Sequence, residues 1–236
     1  MTNAGMIAMS VLGVVLAAPV LQAPDLSRYR QFQFGTRVPV VTKQAQASPS
    51  DVIVIHRRPA VIQELVWDSW TAAGSSTRSE SVKDIRFSFL NGVLFRMVVN
   101  YDKERTEGLT AEDIIAAIST KYGSASRPVA EITLSSTQTY SDGENGYSNQ
   151  SEKVIARWED AQYSFNLVQT AVGSAFVLVM SSKRLNELAE AAVVEAIRLD
   201  EQEAPQRELD RQTKKSDENR VQQEKARLVN KVPFRP

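Results

Sequence analysis

The sequence predicts an α+β protein: antiparallel sheet of short strands packed against one or two amphipathic helices, with a long charged C-terminal helix or tail. Three observations predict it. Asn91-Gly92 stands between two alternating apolar runs, which is the strongest short-range hairpin signal. A capped helical stripe follows at 110–123. Three later apolar runs lie too close together for βαβ crossovers, which argues against a Rossmann or flavodoxin-like sheet.

The elements follow in chain order. Residues 1–23 carry no charged side chain, and Met6 to Leu21 is almost wholly apolar. The run is short and terminal for a membrane span of about 20 residues, so it reads as an export signal. Its first residues lack Lys and Arg, and cleavage after Ala23 would leave Leu21 at minus three and Pro24 beyond the cut. An uncleaved anchor and a buried N-terminal element are the other readings.

Tyr29 to Phe34 reads as a short strand or an extended lead-in, punctuated by Gly35. Thr36 stands as an N-cap ahead of Val38, Val40 and Val41, with Pro39 tolerable in a first turn. Gln44 to Ser50 reads as a loop. Asp51 to His56 is a β-branched strand, Arg57-Arg58-Pro59 a bend, and Val61 to Trp67 a second strand or a helical turn. Ala72 to Glu80 is a Gly/Ser/Thr-rich loop.

In the hairpin, a two-residue loop pairs Leu90 with Val93 and mixes apolar with polar side chains on both faces. A three-residue loop pairs Phe87 with Phe95 and Ile85 with Met97, putting every large apolar side chain on one face. That form, with Gly92 at positive φ, is the expectation. Thr110 and Asp113 form a capping box, and Ile114, Ile115, Ile118 and Tyr122 one stripe, ended by Gly123. The stripe is expected to pack on the hairpin's aromatic face.

Glu131 to Tyr140 alternates weakly, and Ser141 to Ser151 reads as a polar loop. Val154 to Trp158, Tyr163 to Val168 and Phe176 to Met180 read as strands. From Lys183 a helix is expected, with Leu185, Leu188, Ala189, Ala192, Ala196 and Leu199 as its packing face and Pro205 as an interruption. Residues 206–231 hold eight basic and five acidic side chains, with no sustained apolar heptad. The expected organisation is therefore an export signal at 1–23 and an α+β region at 24–204. That region is either one unit or two subdomains, 24–123 and 124–204. A charged helical or disordered tail follows at 205–236. An aromatic-Gly pair recurs at Phe34-Gly35 and Tyr122-Gly123, with no further motif to mark a repeat.

Composition narrows the chemistry. Lys+Arg and Asp+Glu are 28 each, so no global field attracts nucleic acid or anionic lipid. With no cysteine there is no disulfide, thiolate metal site or thiol nucleophile. His56 is the only histidine, so a histidine-rich zinc site is excluded. It could serve as a base with Asp51, Glu64, Ser69 or Ser75, although a structural role at a strand end is the simpler reading. Arg57 and Arg58, with Lys43 and Arg37, could hold an anion or a partner's carboxylate. His56, Arg57 and Arg58 are thus the candidate contact residues. Asp102, Glu104 and Glu107, and Asp142 with Glu144, read as loop acids, and DGENG lacks EF-hand spacing. Phosphate-binding glycine loops and a nucleophile elbow are absent. The aromatics Trp67, Trp70, Trp158, Phe87, Phe95, Tyr163 and Phe165 are assigned to packing.

The leader, RYRQFQFGT, NGVLFRMVVNYD and the helix ending in KYG together resemble bacterial exported proteins with no assigned activity. Their hairpins often carry Asn-Gly or Asp-Gly before a Leu-Phe or Leu-Tyr pair. The resemblance spans residues 24–200. FQFGT with its following helix is also similar to small outer-membrane assembly lipoproteins, from which this chain departs in having no cysteine to lipidate. Neither family supplies a catalytic residue. The expectation is a non-enzymatic binding or scaffold protein of the cell envelope, periplasmic or secreted. It would have protein partners, no cofactor, no nucleic acid, and membrane contact only through an uncleaved leader. A hydrolase with a non-standard site and an intracellular interaction module are the alternatives.

Overall fold

The structure is a computed structural model and describes residues 24–68, 81–139, 145–170 and 175–231. The leader, the Ala72 to Glu80 loop and Trp70 lie outside the described residues. The expected α+β class is what is found: the described residues form a large antiparallel sheet, a small one and three α-helices.

The chain enters through a small hairpin, β1 (Arg28–Tyr29) and β2 (Phe32–Gln33). Helix α1 (Val38–Gln44) follows, then a 3-10 turn (Pro49–Asp51) inside the stretch expected to be a loop. Thr36 is not the N-cap of α1. That position is Arg37, which makes no side-chain cap bond. The cause lies in the backbone: the Gly35 N–H donates to Leu94 O (2.9 Å) and the Thr36 carbonyl accepts from Leu94 N (2.9 Å). Arg37, bridged to Val93, is held strand-like, so the helix starts later.

Strands β3 (Ile53–His56), β4 (Ile62–Asp68), β5 (Val82–Leu90) and β6 (Val93–Tyr101) form one antiparallel meander. Helix α2 (Ala111–Tyr122) leads to a second: β7 (Glu131–Thr139), β8 (Asn145–Glu159), β9 (Tyr163–Gln169) and β10 (Phe176–Ser182). β6 pairs antiparallel with β10, giving one sheet in the order β3-β4-β5-β6-β10-β9-β8-β7. Residues 24–123 and 124–204 therefore share a sheet and one core. Each half runs helix then meander, a topological repetition. The aromatic-Gly echo does not mark it, because Gly35 precedes α1 whereas Gly123 ends α2.

The hairpin corrects the expected register. The loop is two residues, Asn91 and Gly92, both at positive φ (48° and 77°), the signature of a type I′ turn. Leu90 pairs with Val93 and Phe89 with Leu94, but Ser88 pairs with Arg96. Phe95 is the extra residue of a β-bulge. The two-residue loop puts it on the face of Ile62 and Leu90, and the bulge then sets Met97, in place of Arg96, opposite Phe87. The expected form assumed that only one face is buried. Both are. Ile85, Phe87, Phe89, Leu94 and Met97 pack with Val41 of α1 and the α2 stripe. Ile62, Leu90 and Phe95 pack with Ala189 of the last helix, α3 (Lys183–Lys231).

The α2 predictions hold. Thr110 Oγ1 accepts from Asp113 N (3.2 Å) and Asp113 Oδ2 accepts from Thr110 N (2.8 Å). Ile114, Ile115, Ile118 and Tyr122 are buried. Trp158 Nε1 donates to Gly123 O (2.9 Å), fixing the end of α2 to β8. A Cβ at residue 123 would lie 3.2 Å from Pro24 Cγ on a backbone of φ 80°, so glycine suits the position. Among the predicted packing aromatics, Phe87, Phe95, Trp158 and Phe165 are buried, with Trp67 and Tyr163 packed against the main core.

Two expectations at the far end are also corrected. Residues 145–151, read as loop, are strand, and β8 is 15 residues long; 141–144 lie outside the described residues. Nor does Pro205 interrupt the last helix: α3 is continuous for 49 residues. Proline cannot donate to the Glu201 carbonyl. One residue earlier, the Asp200 carbonyl accepts from the Arg207 guanidinium (2.8 Å), a side-chain bond that supports the turn around the break.

Candidate functional site

The candidate triplet lies where β3 turns into β4. His56 ends β3, partly exposed, opposite Ile62 in register after a bulge between Val54 and His56. Arg57 is exposed in the turn. Arg58 reaches across to α3. Its Nη1 donates to Glu203 Oε1 at 2.6 Å, its Nη2 to Glu203 Oε2, and Asp200 Oδ1 stands 3.8 Å away. This fork-to-fork pairing is the geometry guanidinium makes with carboxylate. It holds the Glu203 carboxyl below its usual range and raises Arg58. The Arg207 guanidinium closes the group at Asp200 Oδ1 (3.0 Å). The three candidates thus sit in one turn, but Arg58 is engaged by this chain's own helix.

Asp51, weighed as a partner for His56, caps the 3-10 turn by accepting from Ser48 N (2.8 Å). Ser69 and Ser75 lie outside the described residues. Asp102 accepts from Glu104 N (2.8 Å) and Arg105 N (3.2 Å), ordering its own loop. Asp142 and Glu144 lie outside the described residues. Among the described residues, no group of three or more His, Asp or Glu could hold a metal ion. No described helix is long and apolar enough to cross a membrane.

The seat of α3 contains groups that sequence reasoning missed. A polar row crosses the sheet under the helix: Glu64, Ser88, Arg96, Ser181 and Ser164 are successive register partners. Arg96 is half-buried there. Burial lowers its pKa, opposed by the negative charges of Glu190 on α3 and of Glu64. Lys183 Nζ bonds Glu159 Oε2 and the Asp160 carbonyl, both at 2.8 Å, fixing the start of the helix. The charged members, Glu64, Arg96, Glu159 and Lys183, look like ordinary solvated charges in sequence. An Asp200/Glu203 acid pair spaced i, i+3 opposite an Arg-Arg bend was the one legible sign.

α3 is anchored at its start, along the Leu185, Ala189 and Val193 face, and at Glu203. Residues 205–229 and 231 are then exposed. At about 1.5 Å per residue this arm is about 40 Å long. Its charge differs from that of the seated half. Residues 183–204 carry three basic and six acidic side chains; 206–231 carry eight basic and five acidic. Leu209, Val221, Leu228 and Val229 are exposed on the arm.

The fold and its helix define an α+β protein with an eight-stranded antiparallel sheet and a seated helix that continues as an exposed arm. Comparison with family models, with curated proteins and with solved structures gave no match.

Proposed function

We propose that the protein is a non-enzymatic binding or scaffold module of the bacterial cell envelope, exported by its N-terminal segment, whose partner is a protein that contacts the α3 arm. The observation that carries this reading is the arm itself: a continuous helix exposed over residues 205–229, anchored at Arg58–Glu203. A helix without a packing partner of its own gains stability when its side chains are buried elsewhere. The uncharged 1–23 leader supports export. The use of Asp51 and Asp102 in local turns favours binding over hydrolysis.

The test is quantitative capture from a native envelope fraction with the full chain and with a chain ending at Ala204. Partners recovered by the full chain and missing from the shorter one support the reading. Identical recoveries sink the role of the arm. Intact-mass analysis of the mature protein addresses export: an N-terminus near Pro24 is expected, and a retained Met1 in a soluble cytoplasmic fraction would refute it.

A further inference from the structure

The β7–β8 pair has a shape that the rest of the sheet does not share. Residues 131–139 pair with 145–153 over nine consecutive register positions without a bulge. β8 meets β9 only from Val154 onward. Before β7 begins, residues 126–130 lie along β8, with Arg157 N donating to Ser126 O (2.8 Å) and Val154 N to Ala130 O (2.9 Å). Residues 131–139 and 145–153 thus form a two-stranded ribbon extending from the rest of the sheet. At about 3.4 Å per residue the paired part is about 30 Å long. Among the described residues, no strand pairs with the outer edge of β7.

A two-stranded ribbon is marginal in water by itself, and a third strand is the usual remedy. An open edge is also a template for pairing, which proteins suppress with charge, proline, bulges or short length. The opposite edge of the sheet is suppressed by short length and a bulge. β3 has four residues and a bulge, and Arg57, Arg58 and Pro59 follow it. β7 is nine residues long, and after Glu131 its sequence ITLSSTQT has no charge and no proline.

We propose that the outer edge of β7 is a self-association site, and that its occupant is β7 of a second copy of this chain. Antiparallel pairing about a two-fold axis at Ser135 sets Thr133 opposite Thr137, Leu134 opposite Ser136, and Glu131 opposite Thr139 of the other copy. No like charges meet. The result is a four-stranded β8-β7-β7-β8 sheet that gives both ribbons a third strand at once. A foreign strand would serve only one. This isologous arrangement closes on itself and does not propagate. The interface is small, so the dimer is expected to be weak and concentration-dependent.

Sedimentation of the full chain over a concentration series reaching the millimolar range tests it, with far-UV circular dichroism confirming that every variant is folded. Wild type is expected to shift from monomer to dimer. Thr133→Lys with Thr137→Lys sets like charges opposite each other twice and weakens dimerisation about 2- to 30-fold. Thr133→Lys with Thr137→Glu sets opposite charges at the same two places and restores it to wild-type strength or better. A chain that stays monomeric throughout overturns the proposal. So does a dimer indifferent to the lysine pair, or one weakened equally by the lysine–glutamate pair. The partner-capture result does not bear on any of these outcomes.

Discussion

Replacing Phe95 by alanine separates the observed two-residue hairpin from the expected three-residue register. In the two-residue hairpin, Phe95 lies under α3 beside Ile62, Leu90 and Ala189, and it is 5% exposed. Removing it from water contributes about 2–3 kcal/mol by transferred area. The void left beneath the helix adds to this, for a total of about 3–4 kcal/mol. In a protein of this size that lowers Tm by about 6–16 °C. Equilibrium urea unfolding gives the stability change, and amide hydrogen exchange shows where it acts. Exchange is expected to rise first in residues 183–199 of α3. Phe87→Ala is the comparison: it removes the same side chain from the face shared with α1 and α2. Its exchange is expected to rise in α1 and α2 instead. If Phe95→Ala costs under about 1 kcal/mol, or if both variants loosen the same helices, the two-residue register and the two-faced core are wrong.

Four further outcomes follow from individual contacts. Thr110→Ala removes the cap of α2 and is expected to destabilise by about 1 kcal/mol in urea unfolding. Hydrogen bonds from Thr110 lower the Asp113 pKa, so the stability linked to Asp113 is present above about pH 4, the unfolded carboxylate value, and is lost as pH falls through the folded one. An Asp113→Asn variant should therefore lose its deficit in acid. Asp84 has the opposite sign: burial raises its pKa, partly offset by the Asn100 amide that bonds it at 2.5 Å. It costs stability above the raised value and ceases to do so below about pH 4, so Asp84→Asn should stabilise at neutral pH and match wild type in acid unfolding curves. Arg58→Glu should free the α3 anchor, with faster exchange over residues 200–204 and an unchanged global Tm. Adding Glu203→Arg should restore protection if the ion pair is the cause.

The legible parts of the fold were those in which one short segment satisfies its own chemistry. Thr110 and Asp113 close a box within four residues, and the α2 stripe needs only helical spacing. The Asn-Gly turn likewise announces itself. What failed was inference about faces. Alternation reports which residues share a face only if no residue is inserted, and a bulge leaves no mark in composition. Phe95 and Leu90 looked misplaced in the two-residue register because α3, whose Ala189 covers them, comes about 90 residues later. The candidate Arg58 misled for the same reason. A basic turn reads as an open anion site until a distant acid pair is brought to it. Only tertiary structure places Glu203 at 2.6 Å.

The polar stretch 145–151 shows the converse. Its composition reads as loop because it holds one large apolar residue, Tyr147, among Asn, Gly, Ser and Gln. It is strand because it continues β8 outward from Val154–Trp158, whose Val154, Ala156 and Trp158 are buried. Register, once set by that buried half, carries into residues that would not choose it. The extension therefore takes its geometry from the core but little of its stability. Backbone ladder bonds to β7 supply what local sequence does not, and a two-stranded ladder supplies little in water. The feature that hid this strand from composition is thus the one from which the proposed pairing at the outer edge of β7 draws its advantage.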